Sequence, residues 1–384
     1  MTAWGRVLVG HIALFLCFGC GLKEVLGPSD SVGRQLQLDK KWVRDTLIQQ
    51  QPGYRRQNRM TPLMVDQLVI QGNAADAISA YYRHSGHRVW QLPVDQGVEG
   101  GADSFDNQIY FVTNAGYVYA HDVLQNKRVW SYPIKFEGLA RPFATKDMVY
   151  VLSGNNVLHA IDRKTGLQKW LYNRPESTPI SVRGGSRPSV EGATIYVGFS
   201  DGYLVALNRQ SGQVRWERRL NNDRRFQDID SSPVIDGNRL YVSSFDDALY
   251  CINRETGEVI WRADGGGVST VTIDGDRIYY STSQGQVIAL DKSSGKRIWT
   301  YELARGYATK PSVYKGLIVV GESQGGLRLL DSQSGQSLKS YQTGLGVVSD
   351  PLVDVKTGDV FVVSQDANLY AFRISWRSKR QSWP

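Results

Sequence analysis

A unit of about forty residues repeats along the sequence, and a period of this length is typical of solenoids and β-propellers. Each copy opens with a proline-led apolar segment, continues through an Ile-Tyr-Val-like and a Leu-x-Ala-Leu-Asp-like segment, and ends in Thr-Gly-x-x-x-Trp. The alanine position recurs at Ala80, Ala120, Ala160, Ala206, Cys251, Ala289, Leu329 and Ala371. The proline position recurs at Pro62, Ala102, Pro142, Pro188, Pro233, Val271, Pro311 and Pro351. Two independent markers therefore indicate eight units.

Each unit contains four strand-length segments separated by turns such as Asp236-Gly237 and Thr256-Gly257, which is the pattern of one antiparallel sheet. A single sheet leaves both faces exposed, whereas eight sheets stacked around an axis cover one another. The sequence therefore predicts an all-β fold, an eight-bladed β-propeller of four-stranded antiparallel blades. Six tryptophans begin the last strand of their units and are expected to cover the gap to the neighbouring blade. They are Trp90, Trp130, Trp170, Trp216, Trp261 and Trp299.

The eighth unit begins at Pro351 and lacks a Thr-Gly-x-x-x-Trp segment after Ile374. Residues 38–47 contain the remaining strand-like segment, and their Trp42 matches the tryptophan of the other last strands. We expect this N-terminal strand to complete the last blade and close the ring, because closure removes two exposed sheet edges. The predicted boundaries are a flexible tether at 21–37, the propeller at 38–376 and a frayed tail at 377–384.

Residues 1–20 have the pattern of a signal peptide, with Arg6 before an apolar run that is too short to span a bilayer. Gly19 before Cys20 resembles a lipobox, in which the cysteine becomes the acylated N-terminus, although Cys17 stands where leucine is usual. An ordinary signal peptide and an uncleaved apolar N-terminus are the alternatives. Gly21 stands where many inner-membrane lipoproteins have aspartate. By this resemblance, the chain is expected at the periplasmic face of the outer membrane, anchored through Cys20.

Composition argues against several classes of function. The net charge of +8 comes from scattered basic residues without a nucleic-acid-binding motif, so the interpretation is a solvated surface with a mild preference for acidic partners or anionic lipid. His84 and His87 are spaced like metal ligands but fall in a predicted turn without further ligands, so we predict no metal site. Cys251 lies alone in the mature chain on a predicted strand, where a buried structural thiol is expected.

Two connections between units are longer than the others. From Trp170 to Pro188 there are 18 residues and from Trp216 to Pro233 there are 17, against 10 to 12 for the connections that follow Trp90, Trp130, Trp261 and Trp299. The two loops belong to adjacent blades and are expected to project from the same face of the propeller. Long loops on a rigid scaffold often carry function. The candidate partner-binding residues are Ile180, Val182 and Arg183 in the first loop, with Asp228 and Asp230 beside Ile229 in the second. The alternative is that Arg183 and Asp228 pair with each other and the aliphatic residues cap the blade.

The chain from about residue 38 to 374 resembles the BamB family of outer-membrane protein assembly factors, most specifically in residues 180–184 and 227–242. The resemblance implies a non-catalytic scaffold lipoprotein without a cofactor. It also implies binding to the periplasmic POTRA region of the BamA subunit, to other subunits of the assembly machinery, and possible contact with unfolded outer-membrane clients. In that family the matching loop residues bind a POTRA domain, with leucines usual where Ile180 and Val182 stand.

An enzyme is the main alternative, because the repeat also resembles that of quinoprotein alcohol dehydrogenases, whose eight-bladed propellers hold pyrroloquinoline quinone and calcium. Those chains are longer and typically place adjacent cysteines over the quinone, whereas no two cysteines adjoin here. We also find no Glu, Asn and Asp set to assign as calcium ligands. A third class, a module that binds carbohydrate or peptidoglycan, has only surface tyrosines in its favour.

Overall fold

A computed structural model describes residues 34–49, 57–174, 185–221, 226–245, 247–267 and 269–378. Within these ranges the chain forms eight four-stranded antiparallel sheets arranged as the blades of a propeller, which confirms the predicted fold class. These ranges include no helix that could cross a bilayer.

The first two strands of each blade are short. The innermost strands, which open the blades, are β2 (Leu63–Val65), β6 (Ala102–Phe105), β10 (Phe143–Ala144), β14 (Ser189–Glu191), β18 (Val234–Asp236), β22 (Thr272–Asp274), β26 (Ser312–Tyr314) and β30 (Leu352–Val353). The second strands are β3 (Leu68–Gly72), β7 (Gln108–Val112), β11 (Met148–Leu152), β15 (Thr194–Gly198), β19 (Arg239–Ser243), β23 (Arg277–Ser281), β27 (Leu317–Gly321) and β31 (Asp359–Val363).

The third strands pair with the second and with the outermost strands. They are β4 (Ala77–Tyr82), β8 (Tyr117–Asp122), β12 (Val157–Asp162), β16 (Tyr203–Asn208), β20 (Ala248–Asn253), β24 (Gln286–Asp291), β28 (Gly326–Asp331) and β32 (Asn368–Ser378). The outermost strands are β5 (Arg88–Pro93), β9 (Lys127–Pro133), β13 (Gln168–Asn173), β17 (Val214–Arg219), β21 (Val259–Asp264), β25 (Arg297–Glu302), β29 (Ser337–Gln342) and β1 (Arg34–Asp45). The second and third strands of each blade are almost fully buried, because adjacent blades cover both of their faces.

The N-terminal strand β1 closes the ring, as predicted. It pairs antiparallel with β32 from Arg34 opposite Ser378 to Asp45 opposite Asn368, so the eighth blade has the order β1-β32-β31-β30. The strand begins at Arg34, four residues before the boundary expected from the sequence. Leu36 accounts for the extension, because it packs, like Leu38 at the predicted boundary, against the apolar core between blades seven and eight. The predicted signal peptide, most of the tether and residues 379–384 lie outside the described residues.

Seven outer-strand tryptophans each join their blade to the next one, which confirms their expected place. Each indole Nε1 donates a hydrogen bond of 2.9 to 3.3 Å to a backbone carbonyl of the following blade. The pairs are Trp42 with Arg83, Trp90 with Val123, Trp130 with Arg163, Trp170 with Arg209, Trp216 with Arg254, Trp261 with Lys292, and Trp299 with Ser332. A buried indole N–H is thereby satisfied while its ring fills the space between blades.

The glycine of the Thr-Gly motif provides room for the tryptophan of the preceding blade. Gly257 has a φ of +73°, and a Cβ at this position would come within 2.7 Å of the Trp216 ring. A residue with a side chain would be strained by the backbone conformation and would also displace the indole. The motif therefore encodes both the turn and the contact between blades.

Cys251 lies on β20 opposite Trp261 and is fully buried, with no disulfide. Burial raises the pKa of its thiol to about 11, so the thiol stays protonated at neutral pH. The predicted burial of this cysteine is confirmed.

Deleting residues 34–45 should destabilise the whole ring rather than one end. The deletion removes Trp42, which packs against Tyr81 of blade one and Phe361 of blade eight, and it exposes the edge of β32. Losing a buried tryptophan alone costs about 3–5 kcal/mol. We therefore expect the melting temperature to fall by about 10 °C or more in thermal denaturation followed by near-ultraviolet circular dichroism. Deletion of residues 379–384 is the control, and equal melting of both variants would contradict closure by β1.

Candidate functional site

The described ends of the two long loops lie side by side. The Ser186 hydroxyl donates a hydrogen bond to the Ser231 carbonyl at 3.1 Å, and the Arg187 amide donates to the Ser232 hydroxyl at 3.1 Å. Ser186 and Arg187 end the first loop, and Ser231 and Ser232 end the second. The described ends of the two loops therefore meet at adjacent blades, as the spacing predicts.

The second loop is held between blades four and five. The Ile229 amide donates to the Phe199 carbonyl at 3.1 Å, and the Phe245 amide donates to the Asp228 carbonyl at 3.1 Å. Ile229 is 1% exposed and lies against Gly198, where a Cβ would come within 2.2 Å of the Ile229 carbonyl oxygen. Glycine at the end of β15 thus makes space for the loop, and both blades fix its backbone.

The two carboxylates of the second loop are buried. Asp228 is 0% exposed and Asp230 is 8% exposed. Asp230 lines a small pocket together with Gly185 and Ser186, from the end of the first loop, and with Ser153 and Asn156 of blade three. The structure thus brings Asp230 together with the described end of the first loop, and both carboxylates are buried rather than exposed to solvent.

Three of the predicted partner-binding residues, Ile180, Val182 and Arg183, lie outside the described residues, as does the predicted lipidation site Cys20. The alternative pairing of Arg183 with Asp228 also falls outside them. Their assignment remains a prediction.

Sequence reasoning missed a set of hydroxyl groups that fasten the loop ends to the blades. The Ser231 hydroxyl accepts the Ser243 amide at 2.6 Å and donates to the Ser243 carbonyl at 2.9 Å. Hydroxyls at the equivalent position accept the amide that ends the second strand in other blades, and they belong to Ser186, Thr309 and Ser349. A hydroxyl residue two places before the opening proline is the sequence signal that could have identified them.

Arg187 extends the first loop toward the centre of the ring. Its guanidinium pairs with Asp103 at 2.8 Å, donates to the Pro142 carbonyl at 3.0 Å and lies 4.5 Å from the centre of the Phe143 ring. Burial lowers the pKa of Arg187, and the nearby Arg141 does so too, whereas Asp103 raises it. The end of the first loop is therefore fixed by contacts with blades two and three.

The described residues contain no group of three or more His, Cys, Asp or Glu side chains placed to hold a metal ion.

The family profile described as outer membrane protein assembly factor BamB matches residues 74–301 and 246–384. These two segments cover well over half of the sequence. The chain belongs to the BamB family.

Individual relatives extend this result. BamB of Yersinia pestis is 24% identical over 184 residues, which cover 44% of this chain and 46% of that protein, so the match spans less than half of the relative's length. BamB from Moraxella catarrhalis superimposes with a TM-score of 0.76 at 21% identity, over 88% of this chain and 100% of that chain. A europium-containing methanol dehydrogenase gives a TM-score of 0.71 at 14% identity, over 88% of this chain and 93% of that chain. At these identities the two structures show a shared propeller fold and nothing further.

Ser231→Ala should destabilise the protein by about 1–3 kcal/mol, because it leaves the buried Ser243 amide without its acceptor. Urea denaturation measures this as a change in the free energy of unfolding. The control is Ser340→Ala on the exposed face of β29, which should stay within about 0.5 kcal/mol of wild type. Equal stability of the two variants would show that the hydroxyl does not fasten the loop.

Proposed function

We propose that this protein is a non-catalytic scaffold of the outer-membrane β-barrel assembly machinery and assists the insertion of outer-membrane proteins. The observation that carries the proposal is the BamB family match over most of the propeller. Solved structures with this fold include both a BamB and dehydrogenases, so the fold by itself favours neither role.

The partner-binding surface in this proposal is the pair of long loops, and its partner is the POTRA region of BamA, with further subunits nearby. Ile180, Val182 and Arg183 provide the direct contacts, since an arginine beside aliphatic side chains is a common composition for a binding hot spot. Asp228 and Asp230 act differently. Because both are buried, we infer that they position the loop backbone rather than contact the partner directly.

The rigidity of the loop base supports this division of roles. The Ile229 amide and the Asp228 carbonyl bond to opposite blades, and Ser186 joins the first loop to the second. A binding loop that is already ordered at its base loses less conformational entropy when a partner binds. The arrangement therefore suits a preformed docking surface for a folded domain.

For localisation, we propose that a lipid on Cys20 holds the ring at the periplasmic face of the outer membrane. Residues 1–20 are the signal peptide in this proposal. The segment that follows leads into β1, whose first described residue is Arg34. The ring would then be tethered next to the closing blade.

Arg183→Glu should abolish binding to purified POTRA domains while leaving folding unchanged. Reversing a charge at the centre of an interface costs about 2–5 kcal/mol of binding, enough to lose a micromolar complex. Isothermal titration calorimetry measures the affinity, and thermal melting measures the stability. If Arg183 only pairs with Asp228 inside the protein, the variant should instead melt earlier and keep its partner.

The matched control is Arg297→Glu, which makes the same charge change on exposed β25, far along the chain from both loops. It should bind like wild type. Equal affinity of Arg183→Glu and Arg297→Glu would rule out the proposed loop interface.

Cys20→Ala should release the protein into the soluble periplasm, because the proposed lipid is its only anchor. Cell fractionation followed by immunoblotting locates the protein. Cys17→Ala is the control and should remain in the membrane fraction, since that residue is not acylated in the proposal. A Cys20→Ala variant that stays with the membrane would refute the anchor.

A further inference from the structure

The residues just before the eight opening proline positions form a ring around the axis. They are Thr61, Gly101, Arg141, Arg187, Ser232, Thr270, Lys310 and Asp350. Each precedes an innermost strand, and innermost strands of neighbouring blades contact one another, as β2 and β6 do. All except Gly101 are half-buried, and they lie at the inner edge of their blades, beside the central channel. The long loops enter the blades at this same end.

Side chains connect neighbouring members of this ring. The Lys310 amide donates to Asp350 at 3.0 Å, and the Thr61 hydroxyl donates to the other Asp350 oxygen at 3.4 Å. The Ser232 amide donates to the Thr270 hydroxyl at 3.2 Å. These contacts link blades seven, eight and one, and blades five and six, so the ring has a fixed geometry.

Positive charge exceeds negative charge among the residues of this ring and the adjoining Asp103. Arg141, Arg187 and Lys310 contribute three cations, against two carboxylates from Asp103 and Asp350. Asp103 is shared between two arginines, at 3.2 Å from Arg141 and 2.8 Å from Arg187. Asp350 accepts the Lys310 main-chain amide, whereas the Lys310 ammonium forms no ion pair with any carboxylate among the described residues.

Two further observations point to unused donors. Arg141 Nε is buried and donates to no atom within the described residues. Burial lowers the pKa of Lys310, whereas the nearby Asp350 raises it. Arg141 and Arg187 lower it further, and they stand on blades three and four while Lys310 stands on blade seven. Their charges therefore act on one another across the channel. Concentrated positive charge in a partly desolvated, narrow space is favourable for an anion.

We propose that the channel mouth is a binding site for a small oxyanion, a carboxylate or a phosphate group, which the Lys310 ammonium and the Arg141 guanidinium hold by charge-assisted hydrogen bonds. Asp103 orients the two arginines, and Asp350 fixes the main chain at Lys310. This site is separate from the proposed partner-binding residues, and its occupation is measured without any partner protein.

The test is isothermal titration calorimetry of the purified propeller with inorganic phosphate and, separately, with acetate, at constant low ionic strength. We expect saturable binding of at least one of them, which identifies phosphate or carboxylate as the preferred group. Lys310→Met should weaken this binding by about tenfold or more, the loss expected for one charge-assisted hydrogen bond. It removes the ammonium but keeps the main-chain amide that donates to Asp350.

Asp350→Asn provides a test of opposite sign. It removes one negative charge and retains an oxygen acceptor for the Lys310 amide, so it should tighten anion binding. Lys296→Met, in an exposed turn, is the control for loss of a lysine and should bind like wild type. Thermal melting of each variant verifies folding. The proposed site would be overturned if Lys310→Met and Lys296→Met bound the anion equally. It would also be overturned if titration with chloride gave the same result as titration with phosphate and acetate.

Discussion

The indole hydrogen bond from one blade to the next is the interaction on which the ring depends. Trp216 is an example of this contact. Its ring fills the space that Gly257 leaves open, and its Nε1 donates a hydrogen bond to the Arg254 carbonyl at 3.0 Å. Because the bond crosses the boundary between blades, it fixes the position of one sheet against the next. A blade cannot bury its own faces, so this repeated contact determines whether the sheets form one body.

One boundary has a different construction, and it is the boundary next to the closing strand. Lys339 of β29 stands opposite Leu329, where other outer strands have tryptophan. There the ring centres of Tyr341 and Phe372 lie 4.8 Å apart. Trp376 lies near the end of the long strand β32, and its ring centre is 6.0 Å from that of Tyr314. Aromatic surface contributed by the extended eighth blade thus replaces the missing indole. The length of β1 and β32 is therefore part of how the ring closes.

The repeat made the fold predictable, since strand number, blade number and closure all follow from residues that recur at equivalent places. Features that break the repeat were not predictable in the same way. The extension of β1 to Arg34 depends on Leu36, which has no counterpart in the other units. The burial of Asp228 depends on Gly198, a residue 30 positions earlier that makes space for Ile229. Loop length could indicate where the candidate site lies, but only the packing of one loop against a neighbouring blade decides which carboxylates are exposed.

The first long loop connects the two candidate surfaces through neighbouring residues. Ser186 bonds to the second loop, whereas Arg187 turns toward the channel and contacts Asp103, Pro142 and the Phe143 ring. A signal between the surfaces would have to move Arg187, and these contacts, from two other blades, oppose that movement. When two sites do not move together, their contributions to the free energy of binding are nearly additive. The two proposed sites, a docking surface on the loops and an anion site on the axis, are therefore expected to function independently.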